Sequence, residues 1–389
     1  MKKTITLLLV LALSLGLLTA CGSTEIHSYQ EDAQTEDVFA NAYGAYAPDT
    51  LVATADGTPV YWNEFSYWLA YIGSQIAYPG EDGKIDWYAA EGSEEPLAET
   101  LLKNVQDSIL QYHILEGMAT EKGIEFGEEG EKYVEGMIRD AITSTAGEDG
   151  TEEDFADYLK DYYLDMDVLR YQGKIQYLYT KLFEELFGAN GEKVSDEDIA
   201  EYVEENGLML AKHILYSVTD ETGAELDDAA KAEKKAAAES AVQQLRAITD
   251  DEALVTKFDE IMNAESEDPG LAYYPNGYVF GSGEMMQEFE DGTKALGDYE
   301  VSDPVETAAG YHVILRLPLT GDASVGSDES GKDISLRYQV AMEQFNDLAT
   351  ARTEQAEIVW EKGFENPDLN KIFQSKDSGG FFAKLFGKK

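Results

Sequence analysis

The order of hydrophobic and polar positions divides the chain into an apolar start, a polar stretch and a long patterned body. Residues 5–20 are almost uniformly apolar, and residues 22–48 are polar. From Leu51 the pattern predicts a short strand, an Asp56-Gly57 turn and a second short strand. Apolar residues then recur at helical spacing, at Trp62, Phe65, Trp68, Leu69, Ile72 and Ile76.

Helical spacing continues up to residue 205. It predicts helices over residues 96–122 and 128–145, then a long helical stretch over 151–187 that is interrupted near Gly173. Thr151 and Asp154 resemble a capping box, as do Ser195 and Asp198, which precede a further short helix. Residues 51–205 are therefore expected to form a mainly helical domain.

The period changes to two at Leu208, where residues 208–218 read as a strand. Helices over 227–249 and 251–263, a Gly/Pro-rich loop over 264–283, a helix over 284–296 and a strand over 311–317 follow. This order predicts a small domain of residues 206–320 that combines strands and helices. The expected fold class is α+β.

The remaining segments are assigned by composition. Residues 321–333 read as a linker. A helix over 334–363 lies in a C-terminal segment, 334–375, and residues 376–389 form a basic, aromatic tail that is expected to contact a membrane interface or to be disordered.

The charge is strongly acidic. Among 389 residues, 77 acidic and 29 basic side chains give a formal net charge of −48. A nucleic-acid binder needs a basic surface, so this class is excluded. The 43% of hydrophobic residues is enough for folded domains, and the length indicates two or three of them.

The first 21 residues resemble a bacterial lipoprotein signal peptide. Lys2 and Lys3 precede the apolar run, which is short for a permanent membrane span and ends in Leu18-Thr19-Ala20-Cys21. This resembles a lipobox, in which the cysteine is acylated and becomes the new N-terminus. Cys21 is the only cysteine, so a disulfide is excluded. The alternatives are an uncleaved anchor and an ordinary signal peptide; residues 22–50 would be a flexible tether.

Three segments in residues 206–318 together resemble the parvulin, or PpiC-type, family of peptidyl-prolyl isomerases. They are Leu210-Ala-Lys-His213-Ile-Leu215, Phe280-Gly-Ser-Gly-Glu-Met285-Met-Gln-Glu-Phe289-Glu-Asp291, and the stretch from Gly297 to Ile314 that contains Pro304, Thr307 and Gly310-Tyr311-His312. The wider arrangement is similar to extracytoplasmic foldases of the PrsA/SurA type. That resemblance implies that the C-terminal helix packs on residues 51–205 as a chaperone module.

The resemblance to parvulins also implies that residues 206–320 form a small antiparallel sheet flanked by helices, and it implies the site. His213, His312, Asp268 and Thr307 would be the catalytic group, although Glu267 and Asp259 lie near Asp268. A proline pocket would use Phe280, Met285, Met286 and Phe289, with Met285 and Phe289 four positions apart on one helix. Isomerisation needs no cofactor and no metal.

The expected function is that of an exported, lipid-anchored foldase on the outer face of the bacterial cytoplasmic membrane. It would isomerise X-Pro bonds in unfolded or partly folded secreted proteins, with chaperone activity from the helical region. The alternatives are a non-catalytic holdase chaperone and a solute-binding lipoprotein. The all-helical stretch over residues 96–205 disfavours the solute-binding lipoprotein, which would alternate strands and helices.

Overall fold

The structure is a computed structural model that describes residues 37–80, 84–89, 95–328 and 331–373. The signal peptide, Cys21, most of the tether and the basic tail lie outside these residues. The described chain forms two compact units. The first takes in residues up to Glu185 together with those from Phe345 onward, and the second runs from Leu186 to Gln344.

Helices make up most of the first unit. After a 3-10 helix at Ala40–Ala45, they are α1 (Trp62–Ile76), α2 (Leu97–Glu121), α3 (Gly127–Ala146), α4 (Glu152–Lys160), α5 (Met166–Phe187, which continues into the second unit) and α11 (Leu369–Ile372). The capping box of Thr151 and Asp154 is confirmed at the start of α4. No helix in the described ranges combines the length and apolar character that crossing a membrane requires.

A three-stranded antiparallel sheet stands beside these helices. Its strands are β1 (Leu51–Ala55), β2 (Thr58–Tyr61) and β9 (Ile358–Trp360), in the order β2-β1-β9. The prediction that residues 358–360 continue the C-terminal helix is wrong, because that helix, α10 (Leu336–Gln355), ends earlier. Residues 358–360 pair with β1 instead, and their backbone groups satisfy those at the free edge of β1. The Trp360 ring packs 5.5 Å from the Phe65 ring.

Part of the predicted tether belongs to the core. Val38 and Phe39 are buried, and the Phe39 ring contacts those of Trp87 and Phe373. The indole N–H of Trp62 donates to the carbonyl of Tyr43 at 3.0 Å. The polar composition of residues 22–48 conceals these few apolar anchors.

The break in the long helical stretch lies at residues 161–165, between α4 and α5, and not near Gly173 as predicted. Tyr163 has a positive φ of 62°, and the Asp165 carboxylate accepts from the backbone N–H of Val168 at 2.7 Å. Gly173 lies inside α5, on the side that faces α3. A Cβ at this position would stand 2.8 Å from the methyl carbon of Met137, which lies on α3.

The second unit contains a four-stranded antiparallel sheet in the order β4-β3-β6-β5. Its elements are α6 (Asp196–Asn206), β3 (Met209–Ser217), α7 (Asp228–Arg246), α8 (Asp251–Glu265), β4 (Tyr278–Phe280), α9 (Gln287–Lys294), β5 (Val305–Glu306) and β6 (Gly310–Leu317). The Ser195–Asp198 capping box is confirmed. With small antiparallel sheets and many helices, the fold class is α+β, as predicted.

Alternation along the two central strands separates the faces of this sheet. Ile214 and Tyr216 of β3, with Val313 and Leu315 of β6, pack against α7 and α8 around Phe258. The opposite face carries Ala211 and Ile314 and packs against α9, and it is this second face that holds the candidate site. The expected linker contains a hairpin, β7 (Ser324–Ser327) paired with β8 (Asp333–Ser335).

One prediction concerns the C-terminal helix in the first unit. Phe345 of α10 is fully buried, and its ring lies 5.0 Å from that of Tyr179 and 5.9 Å from that of Phe183. We expect Phe345→Ala to lower the free energy of unfolding of this unit by about 3–5 kcal/mol, because it leaves a cavity. Leu348→Ala, three residues along on an exposed position, is the matched control and should cost less than about 0.5 kcal/mol.

Urea unfolding followed by tryptophan fluorescence measures this, since all four tryptophans, at positions 62, 68, 87 and 360, lie in the first unit. Equal midpoints for the two variants would contradict the packing of Phe345.

Candidate active site

Two histidines face each other across the central strands of the second unit. His213 lies on β3 and His312 on β6, and His312 is directly opposite Leu215 in the register. His213 and Leu215 are two residues apart, so their side chains share a face, and the two histidines are diagonal neighbours on it. Both are buried. Gly310 begins β6 with a positive φ of 148°, and a Cβ there would clash with the carbonyl of Tyr216.

The two imidazoles form the middle of a hydrogen-bonded series. Their Nδ1 atoms are 3.1 Å apart. The Nε2 atom of His312 lies 2.8 Å from the Thr307 hydroxyl, and that hydroxyl oxygen accepts from the backbone N–H of Ala309 at 3.1 Å. The structure thus brings His213, His312 and Thr307 together, as the resemblance implies.

Asp268 is the acidic residue at the other end of the series. It follows α8 and comes within 3.2 Å of the Nε2 atom of His213. Its carboxylate also accepts from the Tyr278 hydroxyl at 2.7 Å and from the backbone N–H of Gly270 at 3.0 Å. The two other acids of this region make different contacts: Glu267 pairs with Lys234, and Asp259 with Lys212.

One arrangement of protons satisfies every member of the series. An ionised Asp268 only accepts, so His213 donates through Nε2 and accepts at Nδ1. His312 then donates through Nδ1 and accepts at Nε2, where the Thr307 hydroxyl donates. Both imidazoles are neutral in this arrangement. A proton on Nδ1 of His213 would place two Nδ1–H donors against each other, and a proton on Nε2 of His312 would face the hydrogen of the Thr307 hydroxyl.

The local electrostatics agree with this assignment. Burial, and then the facing His213, lower the pKa of His312 to about 4, although Asp268 opposes the shift. Burial works against ionisation of Asp268, but the hydrogen bonds from His213, Tyr278 and Gly270 lower its pKa to about 2. Burial and the neighbouring Asp268 raise the pKa of Tyr278, which remains a hydroxyl donor.

An apolar seat lies against the histidines. The Phe289 ring stands 5.2 Å from the His213 ring and 5.4 Å from the His312 ring, edge to face with both. The Phe280 ring is 5.6 Å from that of Phe289, and Met285 packs against the same cluster. These three residues therefore surround one apolar surface beside the two imidazoles.

The prediction that Met285 and Phe289 lie on one helix is wrong. Met285 precedes α9, which begins at Gln287, so Met285 and Phe289 do not share a helical face. Met285 is held instead by its backbone N–H, which donates to the buried carboxylate of Glu290 at 2.9 Å. Met286 is the N-cap of α9, is 40% exposed and does not belong to the apolar cluster.

Sequence reasoning missed Tyr278 and Glu290. Tyr278 precedes Phe280 by two positions on β4, and this period-two spacing places both side chains on one face of the sheet, a signal that was available. Glu290 accepts from the N–H groups of Gly283 and Met285 and so shapes the loop before α9. Its position in the second parvulin-like segment, directly after Phe289, was the available signal. Within the described ranges, no group of three or more His, Cys, Asp or Glu side chains could hold a metal ion.

The candidate site lies in a region that matches a known family model. Residues 213–317 match the family model for rotamase, the PPIC-type PPIASE domain. Foldase protein PrsA from Halalkalibacterium halodurans is 31% identical over 144 residues, which are 36% of this chain and 37% of the relative. Foldase protein PrsA from Clostridium perfringens is 25% identical over 286 residues, 68% of this chain and 72% of that protein.

The curated relatives and solved structures match to different extents. The chain spans less than half the length of three of the curated PrsA relatives that it matches. The crystal structure of PrsA from Bacillus subtilis is 20% identical and covers 79% of this chain and 92% of its own, with a TM-score of 0.26, too low to support a structural argument. Residues 213–317 thus match the PPIC-type rotamase family, the parvulin family of peptidyl-prolyl isomerases, in a chain similar to the PrsA foldases.

Proposed function

We propose that this chain is a lipid-anchored extracytoplasmic foldase whose rotamase domain isomerises X-Pro bonds in unfolded secreted proteins. One observation carries the proposal: a buried apolar seat stands directly against a hydrogen-bonded series that ends on an ionised carboxylate. This combination meets both requirements of the reaction, which are an apolar surface for proline and a polar group at the amide.

Isomerisation requires rotation about a bond with partial double-bond character. The barrier is about 18–20 kcal/mol because the planar amide is stabilised by resonance, which places negative charge on the carbonyl oxygen. Uncatalysed rotation about an X-Pro bond takes tens to hundreds of seconds. A catalyst must bind the twisted amide more tightly than the planar one.

The apolar seat supplies binding energy for the proline ring. The half-buried Met285 offers an apolar surface that is held by packing on the buried Phe280 and Phe289, so little order is lost when a ring binds. Burying apolar surface contributes about 25 cal/mol per Å². Because this contact fixes the ring, it is the carbonyl group preceding the proline that turns about the C–N bond.

Asp268 would act on that carbonyl group. A carboxylate near the amide oxygen repels the negative charge that resonance places there in the planar state. The twisted state carries less of this charge, so the repulsion raises the energy of the planar amide relative to the transition state. The low pKa of Asp268 keeps the charge in place at neutral pH.

The histidines and Thr307 would be positioning residues. His213 holds the Asp268 carboxylate, His312 fixes the tautomer of His213, and Thr307 fixes that of His312. No proton needs to move during rotation, so neutral imidazoles are sufficient. Tyr278 holds Asp268 from the other side.

We propose chaperone activity for residues 51–205 together with 334–375, and a lipid anchor at Cys21. Similarity to PrsA foldases beyond the rotamase domain supports the first. The short apolar run that ends in Leu18-Thr19-Ala20-Cys21 supports the second. A non-catalytic holdase is the alternative, and the experiment below separates the two.

We expect Asp268→Asn to lower kcat/KM for an X-Pro peptide at least about tenfold, equivalent to ~1.4 kcal/mol of transition-state stabilisation. The amide keeps the shape of the carboxylate but removes its charge. Asp303→Asn is the matched control, because Asp303 is an exposed acid of the same unit that pairs with Arg246, and its rate should stay unchanged. NMR exchange spectroscopy on a proline tetrapeptide measures both.

The same two variants are compared in suppression of aggregation of an unfolded client protein. Asp268→Asn should retain the suppression of the wild-type chain if the chaperone activity belongs to the other unit. If the wild-type chain isomerises the peptide no faster than the uncatalysed reaction, the proposal of isomerase activity is contradicted and the holdase alternative remains.

Stability of the second unit should fall as the pH is lowered from 7 to 5. The pKa of His312 is about 4 in the folded chain and about 6.5 when unfolded, so the unfolded chain binds more protons in this range. The lowered pKa of His312 therefore reduces the free energy of unfolding by about 2 kcal/mol between pH 7 and pH 5. Urea unfolding, followed by the NMR methyl signals of Ile214 and Ile314, measures it. His312→Asn should lack this part of the pH dependence, and an identical pH dependence in both proteins would refute the assignment.

In a bacterial host grown with radiolabelled palmitate, we expect the full chain to become labelled and to fractionate with membranes. Cys21→Ser removes the only thiol, so the variant should be unlabelled and should not remain anchored through lipid. A labelled serine variant, or an unlabelled wild-type chain, would rule out the proposed anchor.

A further inference from the structure

A cavity in the first unit has no role in the rotamase site. It lies beside the hairpin of β1 and β2 and is lined by residues from α1, α2 and α5. Its volume is about 440 Å³, within the range typical of small-ligand sites, roughly 300–1,000 Å³. All its lining residues belong to the first unit.

The floor of the cavity is a buried pair, His113 and Glu64. His113 is 1% exposed, and its Nε2 atom lies 3.2 Å from both carboxylate oxygens of Glu64. Its other ring nitrogen contacts the Thr58 hydroxyl. These contacts hold the Glu64 carboxylate in one position, and a carboxylate has about four acceptor sites, so it can accept further hydrogen bonds.

Tyr171 lines the same cavity and has an unsatisfied hydroxyl. This oxygen is buried, and no hydrogen-bond partner reaches it in the described chain. The ring stands 5.5 Å from that of His113. Burial, and then the charges of Glu64 and Glu116, raise the pKa of Tyr171, so it remains a neutral hydroxyl. A buried hydroxyl without a partner costs about 1–3 kcal/mol, which a ligand donor would recover.

The charges around the cavity favour a cation. Glu116 pairs with Lys174, and the exposed carboxylates of Asp49 and Asp167 also line the cavity. With Glu64, four carboxylates therefore meet one ammonium group and one histidine. An anion would be repelled by this lining, and a neutral ligand would leave the acceptors of Glu64 and Tyr171 underused.

We propose that this cavity binds an alkylguanidinium or alkylammonium group. Such a group carries three to five N–H donors and no acceptor, and the cavity offers acceptors on Glu64, Glu116 and Tyr171. It reaches the cavity either as the basic side chain of an unfolded polypeptide or as a free small cation. The site is independent of the rotamase chemistry, and its test does not use isomerase activity.

Titration calorimetry on the full chain distinguishes the two sources. The probes are an acetylated, amidated Gly-Ser-Arg-Ser-Gly peptide, the same peptide with citrulline in place of arginine, and propylguanidinium. Citrulline keeps the shape of the side chain but is neutral. We expect the arginine peptide to bind at least about tenfold more tightly than the citrulline peptide, because hydrogen bonds to charged groups contribute about 1.5–3 kcal/mol. Tighter binding of the peptide than of propylguanidinium identifies a polypeptide source, and the reverse a free cation.

Two substitutions locate the binding. Tyr171→Phe removes only a hydroxyl that has no partner, so folding should be unaffected and arginine-peptide binding should weaken roughly threefold to tenfold. Tyr78→Phe is the matched control, because Tyr78 is 83% exposed and lies outside the cavity, and its affinity should equal that of the wild type. Glu116→Gln should weaken binding more than Tyr171→Phe, since it removes a charge.

Equal affinity for the arginine and citrulline peptides would overturn the proposal, as would absence of binding by both the arginine peptide and propylguanidinium. So would an arginine-peptide affinity in Tyr171→Phe and Glu116→Gln that matches the Tyr78→Phe control, once thermal unfolding shows that all three variants are folded.

Discussion

The contact between the Nδ1 atoms of His213 and His312 is the constraint on which the candidate active site depends. Two ring nitrogens at 3.1 Å must be one donor and one acceptor, so a single contact decides the tautomer of both residues. The direction of donation is set at the Asp268 end, because an ionised carboxylate only accepts, and the Thr307 hydroxyl at the other end then donates to Nε2 of His312. If His213 gained a proton, two Nδ1–H donors would face each other and this contact would break.

The backbone makes this contact possible. Eight residue pairs join β3 to β6, and their register sets the two histidines diagonally on one face. The other face is fixed against α7 and α8 by apolar packing, which prevents a register shift, because a slip by one residue would expose that core. Hydrophobic packing on one side of the sheet therefore positions a polar series on the other. The Phe289 ring of α9 packs against both imidazoles of that series.

Much of this arrangement could be predicted from the sequence, and the exceptions have physical reasons. Period-two alternation predicted β3 and β6, and the two capping boxes predicted the starts of α4 and α6 within a residue. Helical periodicity could not exclude residues 358–360 from α10, because their pairing with β1 joins positions about 300 residues apart. Local pattern also could not show that Gly173 permits close packing rather than ending a helix, since the neighbour that decides this lies on α3.

For the site itself, the motifs identified the histidines, Thr307 and Asp268, but not how they are held. Tyr278 and Glu290 were missed because their importance lies in which buried groups they contact. The acidity that dominates the composition has little part in this chemistry. Most acidic residues in the described ranges are exposed or half-buried, whereas the Asp268 carboxylate accepts three hydrogen bonds that lower its pKa. The same distinction holds in the first unit, where His113 and Tyr171 single out Glu64 from its exposed neighbours.

Nitrogen NMR of the histidine side chains tests the central claim most directly. In the uniformly ¹⁵N-labelled chain at pH 7, assigned with His213→Asn and His312→Asn, the account predicts two neutral imidazoles of opposite tautomer. His213 should carry its proton on Nε2 and His312 on Nδ1, with His312 staying neutral to below pH 5. The same tautomer in both rings, or a His312 that titrates near 6.5, would contradict the directed series from Thr307 to Asp268.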